Sequence, residues 1–312
     1  MTAEIRTESV HIPVDSTDTL HLKRFFLRVG GPPVFMMHGS VENGRVFYPR
    51  SGNGLAPYLA RKGFDVFVGD LRGRGESEPR INRNSSYGQT EAITEDITAF
   101  VERIREISGS FPRHWIAHSW GGVLLLSHFA RFPDTNGSVD SMVFLGTKRR
   151  ISVWNLKRLI MIDVAWCIVA RLLVRLFGFL PRGAFGRGMD AETNKSHLQC
   201  KRWVRESKWI DSDDDFNYRE ALRSIKLPRS FWLAGSADSY LGHPDDVIRF
   251  REEALATNGE YLLLGRTSGC SRDYGHVDML THPAASKDHF PMILDWLRDS
   301  PRRVRGAGGT QG

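Results

Sequence analysis

Three residues far apart in the chain carry the types that nucleophilic acyl chemistry needs. Ser119 stands in Ala117-His118-Ser119-Trp120-Gly121-Gly122, between a β-rich run and a helical one. A serine at such a strand–turn–helix corner has a forced backbone, so its hydroxyl projects clear of the sheet. The small residues two before and two after it let neighbouring backbone approach, and the helix start behind it offers free N–H groups to a developing negative charge. Asp238 follows the run Phe231-Trp232-Leu233-Ala234-Gly235, which puts a carboxylate at the end of a strand. His276 stands in Tyr274-Gly275-His276-Val277-Asp278, a loop after the last strand-like run. A serine hydroxyl is a weak nucleophile at neutral pH. A histidine must take its proton, and a carboxylate must hold the imidazole tautomer and stabilise its charged form. The order Ser119, Asp238, His276 suits that division of labour on a strand–helix architecture.

The elements that would position these residues alternate along the chain. Strand-like runs at Glu8 to Pro13 and Leu20 to Leu27 read as an opening hairpin around Asp15-Ser16-Thr17-Asp18. Further strands are expected at Pro33 to Met37, Asp65 to Asp70, His114 to Ala117, Met142 to Leu145, Ser230 to Ala234 and Tyr261 to Leu264. Helices are expected at Leu55 to Lys62, Thr90 to Ser108, Gly121 to Phe132 and Ala284 to Leu297, with Gly63 and Gly109 as stops. Such alternation predicts an α/β fold with a mostly parallel eight-stranded sheet flanked by helices. The alternation breaks after Thr147, where a mostly helical stretch precedes the next strand. The expected organisation is a core of residues 1–147 and 226–312 with an inserted helical cap at 148–225.

At this point the residues resemble the α/β-hydrolase family, with a lipase/esterase flavour from Gly54 to Phe67. His38-Gly39-Ser40 looks like the family's oxyanion loop. The run Asp70-Leu71-Arg72-Gly73-Arg74-Gly75-Glu76-Ser77 is similar to its Asp-x-Arg-Gly-x-Gly-x-Ser turn, and Gly235 to Asp238 and Gly275-His276 match as well. Ala117 stands where the usual pattern has glycine. The resemblance implies catalysis by Ser119, Asp238 and His276, with the backbone N–H groups of Ser40 and Trp120 forming the oxyanion hole. It implies hydrolysis of a carboxylic ester, small or lipid-like, through an acyl-enzyme. Acyl transfer to another acceptor by the same triad, and a non-catalytic binding protein on this fold, stay open. Dehalogenase and epoxide hydrolase chemistry is disfavoured, because those relatives carry Asp where Ser119 stands.

Other candidates receive plainer readings. His118 and His38 are expected to support loops, Asp70 to hold the Arg72-Gly73 turn, and Asp278 to lie too near His276 in sequence to orient it. Trp120 could line an acyl pocket or simply pack. Asp245-Asp246 suits a helix start, and Asp211 to Asp215 an exposed loop or helix start.

The chain has 312 residues and a mass of 35.4 kDa, with 41% hydrophobic and 25% charged residues. These proportions exclude collagen-like, disordered and disulfide-framework classes. Cys167, Cys200 and Cys270 are odd in number and widely spaced, so no zinc pattern or disulfide framework is expected, and no metal or cofactor. No signal peptide is visible at Met1 to Val10, and a cytoplasmic location is expected. The net charge of +7 is concentrated between Lys148 and Arg205, where thirteen basic residues meet three acidic ones. Two readings follow: solvated helix faces, or attraction to an anionic substrate or lipid surface. No nucleic-acid-binding motif accompanies the charge. Within this segment Leu159, Ile160, Val164, Ile168, Leu172 and Leu176 recur at helical spacing. They are expected either to cover an acyl chain or to pack on the core, with Arg158, Arg171 and Arg175 outward. Arg302-Arg303-Val304-Arg305 reads as a frayed tail.

Overall fold

The computed structural model describes residues 4–133, 138–186 and 188–299; the C-terminal basic tail lies outside them. Eight strands form one sheet: β1 (Arg6–Pro13), β2 (Thr19–Phe26), β3 (Pro33–Met37), β4 (Asp65–Asp70), β5 (His114–His118), β6 (Ser141–Leu145), β7 (Arg229–Gly235) and β8 (Gly259–Leu264). Their spatial order is β1-β2-β4-β3-β5-β6-β7-β8. The hairpin β1–β2 is antiparallel and β2 runs antiparallel to β4, while every other pairing is parallel. The expected α/β fold with a mostly parallel eight-stranded sheet is therefore present.

The central strands β3 to β6 are buried along their whole length. That is why they read as near-continuous apolar runs rather than alternating ones. Their side chains still alternate between two layers. Phe35, Met37, Trp115, Ala117, Met142 and Phe144 face one core, and Val34, Met36, Ile116, Val143 and Leu145 the other. The first layer is completed by α2 (Ile97–Ser108), α3 (Trp120–Arg131) and a later helix, Pro244–Glu253; the second by α1 (Leu55–Arg61) and the last helix, Phe290–Arg298.

Between β6 and β7 the chain is largely helical. A continuous stretch over 156–177, α4, is wound as a π-helix through Leu159–Val169 and stops at Gly178 in the left-handed conformation. It is followed by a two-residue ribbon pairing Phe179–Leu180 with Glu192–Thr193, then α5 (Asn194–Arg205) and α6 (Tyr218–Arg223). Three ties fasten this stretch to the sheet layers. Buried Arg149 pairs with Glu253 and donates to the carbonyls of Trp203, Glu206 and Ser207. Asp190 accepts from Asn43 Nδ2 and Gly75 N–H, and Arg74 pairs with Glu192. No described helix is long and apolar enough to cross a membrane.

Two sequence readings are corrected here. Within Asp211 to Asp215, Ser212 to Asp215 are exposed as expected, but Asp211 is buried and bonded to Arg131 and Tyr218. In α4, Ile160, Val164, Ile168, Leu172 and Leu176 face solvent, at 44% to 71% exposure, while Ile162, Cys167, Ala170 and Val174 turn inward. This helix is apolar on both sides, so its periodicity defined a stripe without saying which stripe is buried.

Candidate active site

All the singled-out chemistry lies where strands end. β5 delivers Ser119, β7 leads to Asp238, the loop after β8 carries His276, and β3 leads into His38-Gly39-Ser40. In parallel sheets this carboxyl edge is where ligands bind, since loops diverge there. Ser119 has φ 50° and ψ −123°, a left-handed backbone that a non-glycine residue adopts only where packing enforces it. The enforcement is visible. Ser119 N–H donates to Leu145 O at 2.8 Å, and a Cβ added at Gly121 would lie 2.4 Å from His38 O.

The three residues form one hydrogen-bonded line. Ser119 Oγ lies 2.8 Å from His276 Nε2, and His276 Nδ1 lies 2.6 Å from Asp238 Oδ2. The other carboxylate oxygen, Oδ1, accepts from Leu241 N–H at 3.0 Å. Burial works to raise the Asp238 pKa, but the neighbouring imidazole outweighs it and brings the carboxyl down to about 2. Burial holds His276 below its ordinary value despite the attraction of Asp238, which leaves it neutral and able to accept a proton at pH 7. Asp278 is not bonded to His276; it accepts from Gly275 N–H and pairs with Arg272.

Ser40 and Trp120 both line the cavity at Ser119. Trp120 is the first residue of α3, so its N–H has no partner within the helix. Among the described residues the Ser40 N–H meets no acceptor. A Cβ added at Gly39 would lie 2.9 Å from the Ser119 Cβ, so this loop presses against Ser119. His38 fastens the loop from below: its Nδ1 bonds Gly39 O at 2.8 Å and its Nε2 accepts from Leu71 N–H at 3.2 Å. Asp70 has a related duty, but not at the Arg72-Gly73 turn. It accepts from Gly44 N–H and Glu76 N–H, whereas Arg72 is held by Asp96 and Glu95. Gly75, with φ 53°, is required there, because a Cβ would fall 2.1 Å from the Asp70 carboxyl carbon.

Two participants escaped the sequence reading. The first is Glu42, whose Oε2 accepts from Gly39 N–H at 2.9 Å and from His118 Nδ1 at 2.8 Å. The second nitrogen of His118, Nε2, lies 2.9 Å from the carbonyl of His276. Both ring nitrogens thus face acceptors, so both must donate, and His118 is an imidazolium paired with a Glu42 carboxylate. The electrostatics agree. Burial opposes both charges, yet the pair raises the His118 pKa and lowers that of Glu42 to about 2. His118 and Glu42 therefore tie the His276 loop to the Gly39 loop. Glu42→Gln removes the charge that keeps both His118 nitrogens protonated. We expect kcat to fall between about 10- and 100-fold from misplacement of the two loops. The wild type's stability advantage over this variant should be present from about pH 4.5 upward while His118 stays protonated, vanish toward pH 2, and be lost again as pH rises through the raised His118 pKa, as urea titrations across pH would show.

The second is Lys148, counted in the sequence only as one of thirteen basic residues expected either on solvated helix faces or facing an anionic substrate or lipid surface. It is buried, and its Nζ donates to Ser119 Oγ at 3.1 Å. Ser119, His276, Trp120 and Lys148 share one cavity of about 510 Å³ with apolar residues of the helical segment, among them Ile162 and Trp166. Trp120 both lines this cavity and packs, with its Nε1–H donating to Gln89 at 2.7 Å. Cys270 is buried away from the cavity lining, whereas Cys200 lies on it with its thiol pKa pushed far up by burial. Among the described residues no cluster of His, Cys, Asp and Glu could hold a metal ion.

The family profile described as the alpha/beta hydrolase fold matches residues 32–246, more than two thirds of the chain. The chain belongs to the α/β-hydrolase family. Known members similar to this α/β-hydrolase match it over short stretches. "Lipase lipl-3" of Caenorhabditis elegans is 27% identical over 107 residues, 32% of this chain and 26% of that protein. "Bifunctional epoxide hydrolase 2" of Sus scrofa is 31% identical over 120 residues, 38% of this chain and 19% of that protein. The chain thus spans about a quarter or less of these relatives. A thermophilic esterase from Thermogutta terrifontis superposes with a TM-score of 0.59 at 16% identity, covering 93% of this chain and 98% of its own, a likeness of fold alone.

Proposed function

We propose that this α/β-hydrolase is a serine hydrolase of carboxylic esters with an apolar acyl group, acting through an acyl-enzyme. The observation that carries the reading is the line Ser119–His276–Asp238, at 2.8 and 2.6 Å, opening into a mostly apolar cavity. In the proposed reaction His276 Nε2 takes the Ser119 proton while Oγ bonds to the ester carbonyl carbon. The carbonyl electron pair moves onto oxygen, where the N–H groups of Ser40 and Trp120 would receive it. Collapse expels the alcohol, which takes the proton back from His276, and water repeats the sequence on the acyl-enzyme. Asp238 keeps the proton of neutral His276 on Nδ1 throughout. In this reading residues 1–147 and 226–312 supply the machinery and 148–225 the cap over it. The outward row Ile160, Val164, Ile168, Leu172 and Leu176, with Lys157 and Arg175 also exposed, suits a substrate presented at an anionic lipid surface.

The test is titration with a neutral fluorophosphonate, followed by a chain-length panel of p-nitrophenyl esters. One equivalent should attach to Ser119 and abolish turnover in proportion. The kcat/KM for the preferred ester should rise with pH through an apparent pKa below 6.5 and then level off, because the neutral form of a histidine held below that value is the proton acceptor. Label on another residue, or no ester turned over by protein that is labelled, would overturn the reading.

A further inference from the structure

The cavity at Ser119 is lined mainly by apolar side chains, yet a buried lysine amine stands in its wall, its pKa pushed down by burial. Of its charged lining residues, Glu42 is spent on His118 and Gly39, and Arg45 pairs with Glu76 at 3.0 Å. Lys148 is different. It is 5% exposed, and among the described residues no carboxylate lies within ion-pair distance and its one hydrogen bond goes to Ser119 Oγ. An ammonium has three N–H donors. A buried amine without a counter-ion is costly to charge, which is why burial lowers the pKa of Lys148, and an anion bound beside it would favour the charged form. Packing does not explain the choice, since a Met or Leu would fill this apolar wall without that cost.

We propose that Lys148 is a specificity residue that binds an anionic group of the substrate, so that the preferred substrates are esters bearing a carboxylate or phosphate close to the scissile carbonyl. This rests on the hydrolase reading above and names its substrate class. Geometry limits the separation. Nζ is 3.1 Å from Ser119 Oγ, and a carbonyl carbon poised for attack lies roughly 3 Å from that oxygen. The ammonium is then no more than roughly 6 Å from the reacting carbon. An anionic oxygen hydrogen-bonded to Nζ is therefore only a few bonds from the ester. The apolar remainder of the cavity would hold the substrate's hydrocarbon, which makes the substrate an acidic amphiphile. On binding, its anion would provide the counter-charge that Lys148 lacks, using the N–H donors not committed to Ser119.

Two substrate pairs test this and separate the possible anions. One pair is p-nitrophenyl hydrogen glutarate against its methyl-capped neutral counterpart. The other is a 1-acylglycerol 3-phosphate against the same 1-acylglycerol. The full-length protein should prefer the anionic member of at least one pair, and that pair tells carboxylate from phosphate. In Lys148→Met the ratio of anionic to neutral kcat/KM should fall about 30-fold, whatever loss both members share. No preference in either pair, or an unchanged ratio in the variant, would overturn the proposal. If Lys148→Met does not fold, the wild type still decides, through protection of Ser119 from fluorophosphonate. Glutarate or glycerol 3-phosphate should slow labelling, and glutaramide or glycerol should not. Equal effects of charged and neutral compounds overturn the proposal. Should Ser119 resist the phosphonate altogether, the hydrolase reading fails on its own. Tm measured with glutarate or glycerol 3-phosphate against their neutral counterparts then reports on Lys148 separately: a rise specific to an anion supports the site, and none removes it.

Discussion

Ser119→Ala should lower kcat/KM for the best ester by about 10⁵- to 10⁶-fold while leaving the fold intact. The side chain lost is one oxygen, and alanine meets the same backbone demand at φ 50° that serine already meets. Leu145 O and the packing at Gly121 hold that corner whatever the side chain, so Tm should move little. His276→Ala should cost a similar factor, because without a proton acceptor 2.8 Å away the hydroxyl has nowhere to send its proton. The double variant should be scarcely slower than either single one. Serine and histidine act as one unit, and the residual rate belongs to the oxyanion donors and to substrate binding. Single-turnover rates for the three variants check this. Substantial ester turnover by Ser119→Ala would refute covalent catalysis at this position, and multiplying losses in the double variant would show that the two residues work independently.

How much of this was legible in the sequence depends on how local each signal is. Ser119, Asp238 and His276 each sit beside an apolar run and a small residue, so strand, corner and side chain could be read within about ten positions. The central strands were legible for the same reason: burial on both faces writes an unbroken apolar run. Glu42 and His118 are 76 positions apart, and neither has a neighbour that announces the other. Their pairing exists because β3 and β5 are adjacent, which follows from strand order rather than from any motif. Lys148 is locally indistinguishable from Lys157. Only its place three residues past the end of β6, on the carboxyl edge of the sheet, separates a buried cavity wall from a solvated helix. The outward stripe of α4 failed differently. Its apolar period is plain in the sequence, but both faces of the helix are apolar, so the elements packed beneath it decide which one is buried.

Asp238→Asn should cost about 10⁴-fold in kcat/KM with the triad geometry preserved. The reason is a count of donors. Asp238 Oδ1 accepts the N–H of Leu241 at 3.0 Å, while Oδ2 accepts Nδ1–H of His276 at 2.6 Å. Asparagine has one acceptor oxygen and one NH₂ group. If its oxygen stays with Leu241, the NH₂ faces the ring and His276 must present a bare Nδ1. The ring proton then sits on Nε2 and points at Ser119, which leaves the serine without an acceptor at 2.8 Å. If the amide flips, the NH₂ meets the Leu241 N–H and two donors collide in a buried pocket. Either arrangement removes the carboxylate that stabilises the imidazolium formed during attack. The matched control is Asp278→Asn, two residues from His276 but bonded to Gly275 and Arg272, which should cost far less. Kinetics on the two variants, with the rate of phosphonate labelling at Ser119, decide the matter. A near-normal Asp238→Asn beside a crippled Asp278→Asn would hand the orienting role to the other carboxylate. A 10⁴-fold loss at Asp238 alone, matched by slowed labelling, fits a wrong tautomer of His276.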